Sequence, residues 1–408
     1  MTLGNNDFVA VILGTGLNAY NISRSLHEAY GVSSLALGRF ALRETADSTI
    51  VQVRTKPDFD QDEVIMQTLR EVAAEFDAPK LVLFPTIEHY TNVVLRHRDE
   101  LDPRYVVPLL DQQLADKLMN KTDFYRTCAE LGVPHPETVV LEPGDIDPTF
   151  GDDLPFPYPV ILKPANTDIY PALQFEGKEK VYKVADASRL RAISARIFAA
   201  GYDDDLIVQE YLAGDEAVMQ VANSYSTPAG QARFISAGQV VLTEYNPALV
   251  GNNNAIISIA DAELTDSLRR FLDGVGYVGL ANFDMMYDRR TGQSKLLEVN
   301  LRPGATSYYV MAGGGNLIRC VIEDLVYGRE LPFTVTGQER LWINVPYPVV
   351  LRYAPASLRA RTRAAARSGK VHTLDYAPDR SRARRLNMAR LDVRHGLDHF
   401  KHSDNRPR

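Results

Sequence analysis

The chain of 408 residues is 45% hydrophobic and 24% charged, enough for two or three packed units that each bury a core. Its net charge is −7, yet residues 351–408 carry 15 Lys and Arg against 5 Asp and Glu, whereas residues 1–350 carry 30 against 47. An acidic body with no stacking-aromatic motif beside the basic run argues against nucleic-acid binding, and an opening without a basic stretch, followed by an apolar run too short to cross a bilayer, argues against export and membrane insertion.

That apolar run, residues 8–13 (FVAVIL), predicts a buried strand. The turn Gly14-Thr15-Gly16 follows it, and then a helix with Ile22, Leu26 and Ala29 on one face, for which Asn18 is the expected N-cap and Gly31 the expected stop. Strands at 33–37, 49–53 and 80–84 and a helix over 61–76 continue the alternation. The pattern predicts α/β architecture, with an open, mostly parallel sheet forming an N-terminal domain over residues 1–115. A dinucleotide fingerprint needs a third glycine at the helix start, where Tyr20 and Asn21 stand, so no NAD site is expected.

Residues 116–131 read as one helix, with Phe124, Cys128 and Leu131 aligned and Gly132 closing it. Cys128 and Cys320 have no metal-ligand or redox spacing; they read as buried thiols of a cytoplasmic protein. Beyond this helix the pattern turns β-rich, with strands at 160–163, 181–184, 206–212, 218–221, 255–259, 281–287 and 294–300, which marks a second domain over 116–330. The stretch 142–159, rich in Pro, Gly and Asp, is a surface loop. Residues 331–408 form a small basic extension that suits either a phosphate-bearing partner or anionic lipid, or a helical face laid on the acidic body.

Chemistry concentrates on the hairpin 281–287/294–300. Period-two alternation puts Glu298 and Asn300 on one face, opposite Leu297 and Val299, and places Asn282 and Asp284 together on the partner strand. Two carboxylates and an amide sharing a sheet surface suit a hard cation such as magnesium; the competing reading is a hydrated, exposed face. Lys163 ends the strand VILK and Lys117 lies in Asp116-Lys117 at an expected helix start, so both can act as point charges toward a polyphosphate, although each alone is more often a surface lysine. The run from Leu206 to Glu216 is an apolar strand entering a Gly turn and an acid, an edge that can offer backbone groups to an adenine and a carboxylate to ribose.

Taken in order, DK…GVPHP, VILKP, VQEYLAGDE, NFDMM and LLEVNLRPG resemble the ATP-grasp superfamily over roughly residues 110–320. That resemblance implies an N-terminal pre-ATP-grasp domain, α+β ATP-grasp subdomains with a lid over about 137–206, and ATP with two Mg²⁺ ions, Mn²⁺ being an alternative. It also implies roles for particular residues. Lys117 and Lys163 would hold ATP phosphates, Gln209, Glu210, Tyr211 and Leu212 would line the adenine slot, and Glu216 would bind ribose. Asp284, Glu298 and Asn300 would ligate magnesium, with Glu298 bridging two ions. Pro303–Ser307 looks like the substrate-carboxylate loop of D-alanine–D-alanine ligases. The chain departs from those ligases in two places: the Gly- and Ser-rich phosphate loop is replaced by residues 165–180 with the single Gly177, and Asn282 stands at the Arg position before the first metal ligand. Lys178, Lys180 or Lys183 then become candidates to supply charge, and Arg302 to replace the missing Arg.

The opening LGTGLNAYNISRSLHEAYG, the loop LQFEGKEKVYKV and the ending EVNLRPGATSYYV are similar to the D-aspartate ligases of peptidoglycan cross-bridge synthesis. This resemblance implies a ligase that activates a small amino acid, D-aspartate first, as an acyl phosphate and joins it to an amine of a nucleotide-linked cell-wall peptide. Arg302, main-chain groups near Gly304, and Ser307 would serve catalysis. A homo-oligomer is compatible with the sequence. The alternatives are an L-amino-acid (dipeptide) ligase and a non-catalytic ATP-binding regulator, the latter disfavoured because all three metal-ligand positions are filled.

Overall fold

The computed structural model describes residues 3–144, 146–166, 169–247 and 251–406. Two compact units emerge: residues 1–112, 214–283 and 300–408 form the first, and residues 113–213 and 284–299 the second. Residues 116–330 are therefore shared between both units, and the extension 331–408 belongs to the first.

The first unit opens as the alternation predicts. Strands β1 (Phe8–Leu13), β2 (Ser34–Gly38), β3 (Val51–Thr55), β4 (Lys80–Pro85) and β5 (Tyr105–Val106) form a parallel sheet in the order β3-β2-β1-β4-β5. Helices α1 (Leu17–Tyr30), α2 (Asp62–Glu75) and α3 (Glu88–Arg96) connect the strands. Every residue of β1 is buried, as expected for a central parallel strand covered on both faces. Gly31 does end α1 in a left-handed conformation, its N–H bonded to His27 O. The N-cap is Gly16, not Asn18: Asn18 Nδ2 instead donates to Thr86 O (3.0 Å) and Pro303 O (2.8 Å), a tertiary use that outcompetes local capping. At Gly14 (φ +125°) a Cβ would stand 2.0 Å from Thr86 Oγ1, so only glycine brings this turn against the neighbouring strand end.

The second unit begins with α4 (Gln112–Met119) and α5 (Lys121–Glu130). The single helix expected over 116–131 is broken because Asn120 adopts an extended conformation and its side chain accepts the Asp123 N–H, starting a new helix. Strands β6 (Thr138–Leu141), β7 (Val160–Pro164) and β8 (Tyr182–Val184), helix α6 (Ala187–Ala199) and strand β9 (Leu206–Glu210) follow. Their antiparallel sheet, ordered β6-β9-β7-β8, packs on α6 around Leu162, Tyr182, Leu190, Ile197 and Val208. Thr167 and Asp168 of the 165–180 loop, and Asp145 of the 142–159 loop, lie outside the described residues.

The chain returns through β10 (Met219–Ser226), β11 (Ala232–Thr243), β12 (Asn253–Ile259), α7 (Ala262–Val275), β13 (Gly279–Asp288) and β14 (Gln293–Asn300). After these come α8 (Tyr309–Ala312), α9 (Leu317–Leu325), β15 (Thr334–Thr336), β16 (Leu341–Ile343), α10 (Tyr347–Tyr353), α11 (Arg359–Ser368), β17 (Lys370–His372) and α12 (Arg382–Lys401). The strands build an eight-stranded sheet in the order β14-β13-β10-β11-β12-β16-β17, with β15 beside β11, and the boundary between the two units runs through the β13–β14 hairpin. Strand β11 has no counterpart in the sequence reading: it is buried almost throughout, so it shows no polar alternation, and Gly238 interrupts its apolar run.

The core of the first unit is continuous. Phe8, Ile12 and Leu26 of the N-terminal sheet layer share one cluster with Val321 of α9, Phe234 of β11 and Trp342 of β16. The basic tail packs as well. Arg384 of α12 is 1% exposed, pairs with Asp379 at 2.8 Å and donates to Glu44 O and Ala46 O at 3.0 Å, while Tyr20 OH donates to the same Asp379 carboxylate. Among the described residues no helix is long and apolar enough to cross a membrane.

Candidate active site

The phosphate-binding candidates fall in the second unit. Lys163 lies on β7 between β8 and β9, paired with Ile207. Its Nζ donates to Tyr125 OH at 2.8 Å, and Tyr125 OH donates to Leu297 O at 2.5 Å, so a buried phenol of α5 ties the lysine to the backbone of β14 beside Glu298. Burial pushes the Lys163 pKa down to about 8, against the attraction of the Glu298 carboxylate. Tyr125 was not a candidate from sequence: a tyrosine on an amphipathic helix face carries no signal that distinguishes it from core.

Lys183 on β8 sits 3.9 Å above the ring of Tyr211, which directly follows β9. Strand β9 ends at Glu210, two residues earlier than the expected Leu212, and Leu212 is 8% exposed. Gln209 is buried, its Nε2 donating to Thr138 Oγ1 at 2.8 Å. The Glu210 side chain is committed to an internal network with Lys295, Arg290 (2.5 Å) and the Glu137 N–H (3.0 Å), and Lys295 also reaches Asp288 at 3.1 Å. Burial alone would raise the Glu210 pKa, but those partners outweigh it and hold the carboxyl below its ordinary value. Lys117 is exposed and lies in the last turn of α4, not at a helix start. Lys121 is half-buried, and its N–H bonds Ala165 O.

The hairpin face is also polar as expected. Asp284 and Glu298 are half-buried, each flanked by buried apolar neighbours such as Phe283, Met285 and Val299. Asn300, in the first unit, gives its Nδ2 to Asn282 Oδ1 at 3.3 Å. An oxygen-only donor set of this composition fits Mg²⁺. Among the described residues there is no cluster of three or more His, Cys, Asp or Glu side chains that could hold a metal.

The remaining candidates lie in the first unit. Glu216 is fully buried, its Oε1 accepting Tyr245 OH (3.0 Å) and Thr243 Oγ1 (3.3 Å) while its Oε2 is buried without a hydrogen-bond partner among the described residues, and burial raises its pKa. The Gly304 N–H is donated to Asn223 Oδ1 at 3.2 Å, and a Cβ at 304 would stand 2.9 Å from Asn282 Nδ2, so a side chain here would displace the Asn282 amide. Arg302 donates from Nη1 to Pro303 O at 3.1 Å, and Ser307 is buried with its N–H on Gly304 O at 3.0 Å. Ala305 and Thr306 of the same loop line a cavity of about 520 Å³ together with the Gly14–Asn18 turn and Tyr90. Glu244, Asn344 and His395 complete it, and none of the three carried a sequence signal because they come from separate elements.

No family model matches the chain. It is 35% identical over 362 residues to the D-aspartate ligase of Enterococcus faecium (strain Aus0004), covering 86% of both chains. Among solved structures it resembles an L-amino acid ligase from Bacillus licheniformis (TM-score 0.54, 16% identity, 79% of this chain and 75% of that one). It also resembles the biotin carboxylase domain of Hydrogenobacter thermophilus 2-oxoglutarate carboxylase in complex with MgADP, ADP and bicarbonate (TM-score 0.61, 13% identity, 81% and 73%). The two structures share the α/β fold, and the near-full-length relative adds the chemistry: the chain belongs to the D-aspartate ligase family and is an ATP-dependent carboxylate–amine ligase.

Proposed function

We propose that the enzyme activates a carboxylate of D-aspartate and joins it to the side-chain amine of a nucleotide-linked cell-wall peptide. The observation that carries this reading is the 35% identity, sustained over 86% of both chains, to a D-aspartate ligase. In the first half-reaction a donor carboxylate oxygen attacks the γ-phosphorus of ATP, ADP leaves, and an acyl phosphate forms. In the second the amine attacks the acyl carbon, the C–O bond to phosphate breaks, and phosphate and a proton are released.

Residues of the chain divide this work. Lys163 and Lys117 would neutralise phosphate charge, with Lys183 supplementing the Gly-poor 165–180 loop, and Tyr125 would aim Lys163. Gln209, Tyr211 and Leu212 would line the adenine slot, where Glu210 acts by fixing the strand end, and Glu216 is assigned to ribose. Asp284, Glu298 and Asn300 would hold two Mg²⁺, or Mn²⁺ in their place, which supply charge neutralisation between the β- and γ-phosphates. An acidic donor has two carboxylates. The planar fork of Arg302 suits one of them, the Thr306 and Ser307 hydroxyls suit the other, and main-chain donors beside Gly304 would stabilise the tetrahedral oxyanion once the Asn223 contact is released.

The test incubates enzyme, ATP and magnesium with the pentapeptide precursor and, separately, D-aspartate, L-aspartate, L-serine, glycine and each alanine enantiomer, and reads the product by mass. Ligation of D-aspartate to the precursor is expected. Ligation of L-aspartate or serine alone overturns the donor, and condensation of free amino acids without the precursor moves the enzyme to dipeptide synthesis.

A further inference from the structure

A helix on the surface of a globular unit needs one face that packs and one that meets water; α12 (Arg382–Lys401) has a packed face and, opposite it, a second apolar one. Arg384, Met388, Leu391, His395 and His399 recur about once per turn and form the packed face. Of these, Arg384, Leu391 and His399 are buried, Met388 lies against the cluster that contains Tyr20, Val51 and Leu374, and His395 Nδ1 is 3.0 Å from Asn344 O. Half a turn away stand Leu386, Val393, Leu397 and Phe400, which are 55%, 64%, 64% and 68% exposed. At about 100° per residue they fall within an arc of about 60°, and at about 1.5 Å per residue they form a stripe about 21 Å long. Single exposed apolar residues are ordinary, but four aligned on one helix face mark a surface that meets something apolar.

Charge decides what that something is. Arg390, Arg394 and Lys401 follow one edge of the stripe, and Arg382 and Arg385 flank its start on the other; all five are exposed. The acids of the helix, Asp392 and Asp398, are half-buried, and Asp398 is held 3.5 Å from Arg394. A second copy of α12 laid on this face would bring cations against cations along the whole stripe, so self-pairing is opposed. An anionic bilayer surface accepts both features at once. Apolar side chains enter the acyl boundary, and long cationic stems on either flank reach back to headgroup phosphates. The same composition recurs beside the helix: Asn387 Nδ2 donates to Arg43 O at 3.2 Å, and Arg43 closes the exposed segment Arg39-Phe40-Ala41-Leu42-Arg43.

From this placement we infer that the exposed face of α12 docks the protein on an anionic lipid surface, the helix lying in the headgroup plane with Leu386, Val393, Leu397 and Phe400 turned into the bilayer. The contact is peripheral and reversible, because it combines a short apolar stripe with electrostatic attraction and neither signal anchors a protein alone. It differs from spanning, for which no helix among the described residues is long and apolar enough. The docking face uses none of the residues assigned to nucleotide, metal or donor, so ligation of soluble substrates proceeds without it.

The test sediments the full-length protein with vesicles of phosphatidylcholine alone or mixed with phosphatidylglycerol, at low and high salt. Wild type should bind the mixed vesicles at least about tenfold more tightly than the neutral ones, a preference that shrinks as salt is added. Leu397→Glu and, separately, Phe400→Ser should weaken binding to mixed vesicles, the former by about tenfold or more, and the double variant Arg385→Glu/Arg390→Glu should abolish the preference for them. All four side chains are exposed, so each variant should keep the melting temperature of wild type and its ligation rate with soluble substrates. Wild type that ignores both vesicles, or binds them equally, overturns the docking face, and apolar variants that bind as wild type does overturn the insertion of the stripe. A wild-type dimer in sedimentation velocity that Leu397→Glu dissociates, with vesicles left unbound, assigns the stripe to a second copy instead.

Discussion

Lys163→Met separates stability from function in a way that the burial of this lysine dictates. The wild-type ammonium has its pKa lowered from 10.5 to about 8, chiefly by desolvation, which at about 1.4 kcal/mol per pH unit means that the charged form carries about 3.5 kcal/mol of unfavourable burial when no anion is bound. Methionine keeps the length and the apolar stem but removes the charge. It also removes the hydrogen bond to Tyr125 OH, a loss of about 1 kcal/mol. The nucleotide-free variant should therefore be more stable than wild type at pH 7, by about 2–3 kcal/mol. The sign follows from linkage: the folded pKa lies below the unfolded one, so the penalty is fully present below about pH 8, shrinks as pH rises, and vanishes near 10.5. Denaturant titrations of both proteins at pH 7 and pH 10 should show the gap closing at the higher pH. In parallel the apparent ATP constant should rise at least about tenfold, because a polyphosphate loses a partly desolvated cation. A variant that is less stable at pH 7 and binds ATP as wild type does would refute both the burial argument and the phosphate role.

Three further outcomes are expected. Glu298→Gln should leave the fold intact, as judged by circular dichroism, and lower phosphoryl transfer by orders of magnitude even at saturating Mg²⁺; near-normal turnover removes Glu298 from the metal set. Lys295→Met leaves Glu210 and Asp288 buried at 6% and 5% exposure with only Arg290 to balance them, and should destabilise the second unit by about 3 kcal/mol, read as an early step in limited proteolysis; an unchanged cleavage profile would show the network to be dispensable. Arg384→Ala strands the Asp379 carboxylate and should lower the melting temperature with a cost of about 3–5 kcal/mol, whereas a tail acting only as a loose electrostatic lure would lose acceptor affinity without losing stability.

Much of the scaffold was open to the sequence because it rests on short-range physics. The buried strand Phe8–Leu13, the stop at Gly31, and the alternation that sets Glu298 against Val299 each follow from side-chain periodicity or a single backbone conformation within a few residues. Order along the chain did the same for the family, since motif spacing survives where individual motifs are weak. Tertiary structure decided what depends on partners far away in the chain. Asn18 left its expected capping role because two carbonyls, one of them 285 residues distant, claimed its amide. Strand β11 stayed hidden because burial on both faces erases the alternation that reveals a strand. The basic tail became part of the first unit because Arg384 found Asp379 and the Glu44 carbonyl, a pairing that charge counting cannot foresee. Tyr125 and Glu210 belong to the same class: in each, the chemistry comes from desolvation and hydrogen-bond geometry, and neither exists until separate elements have packed.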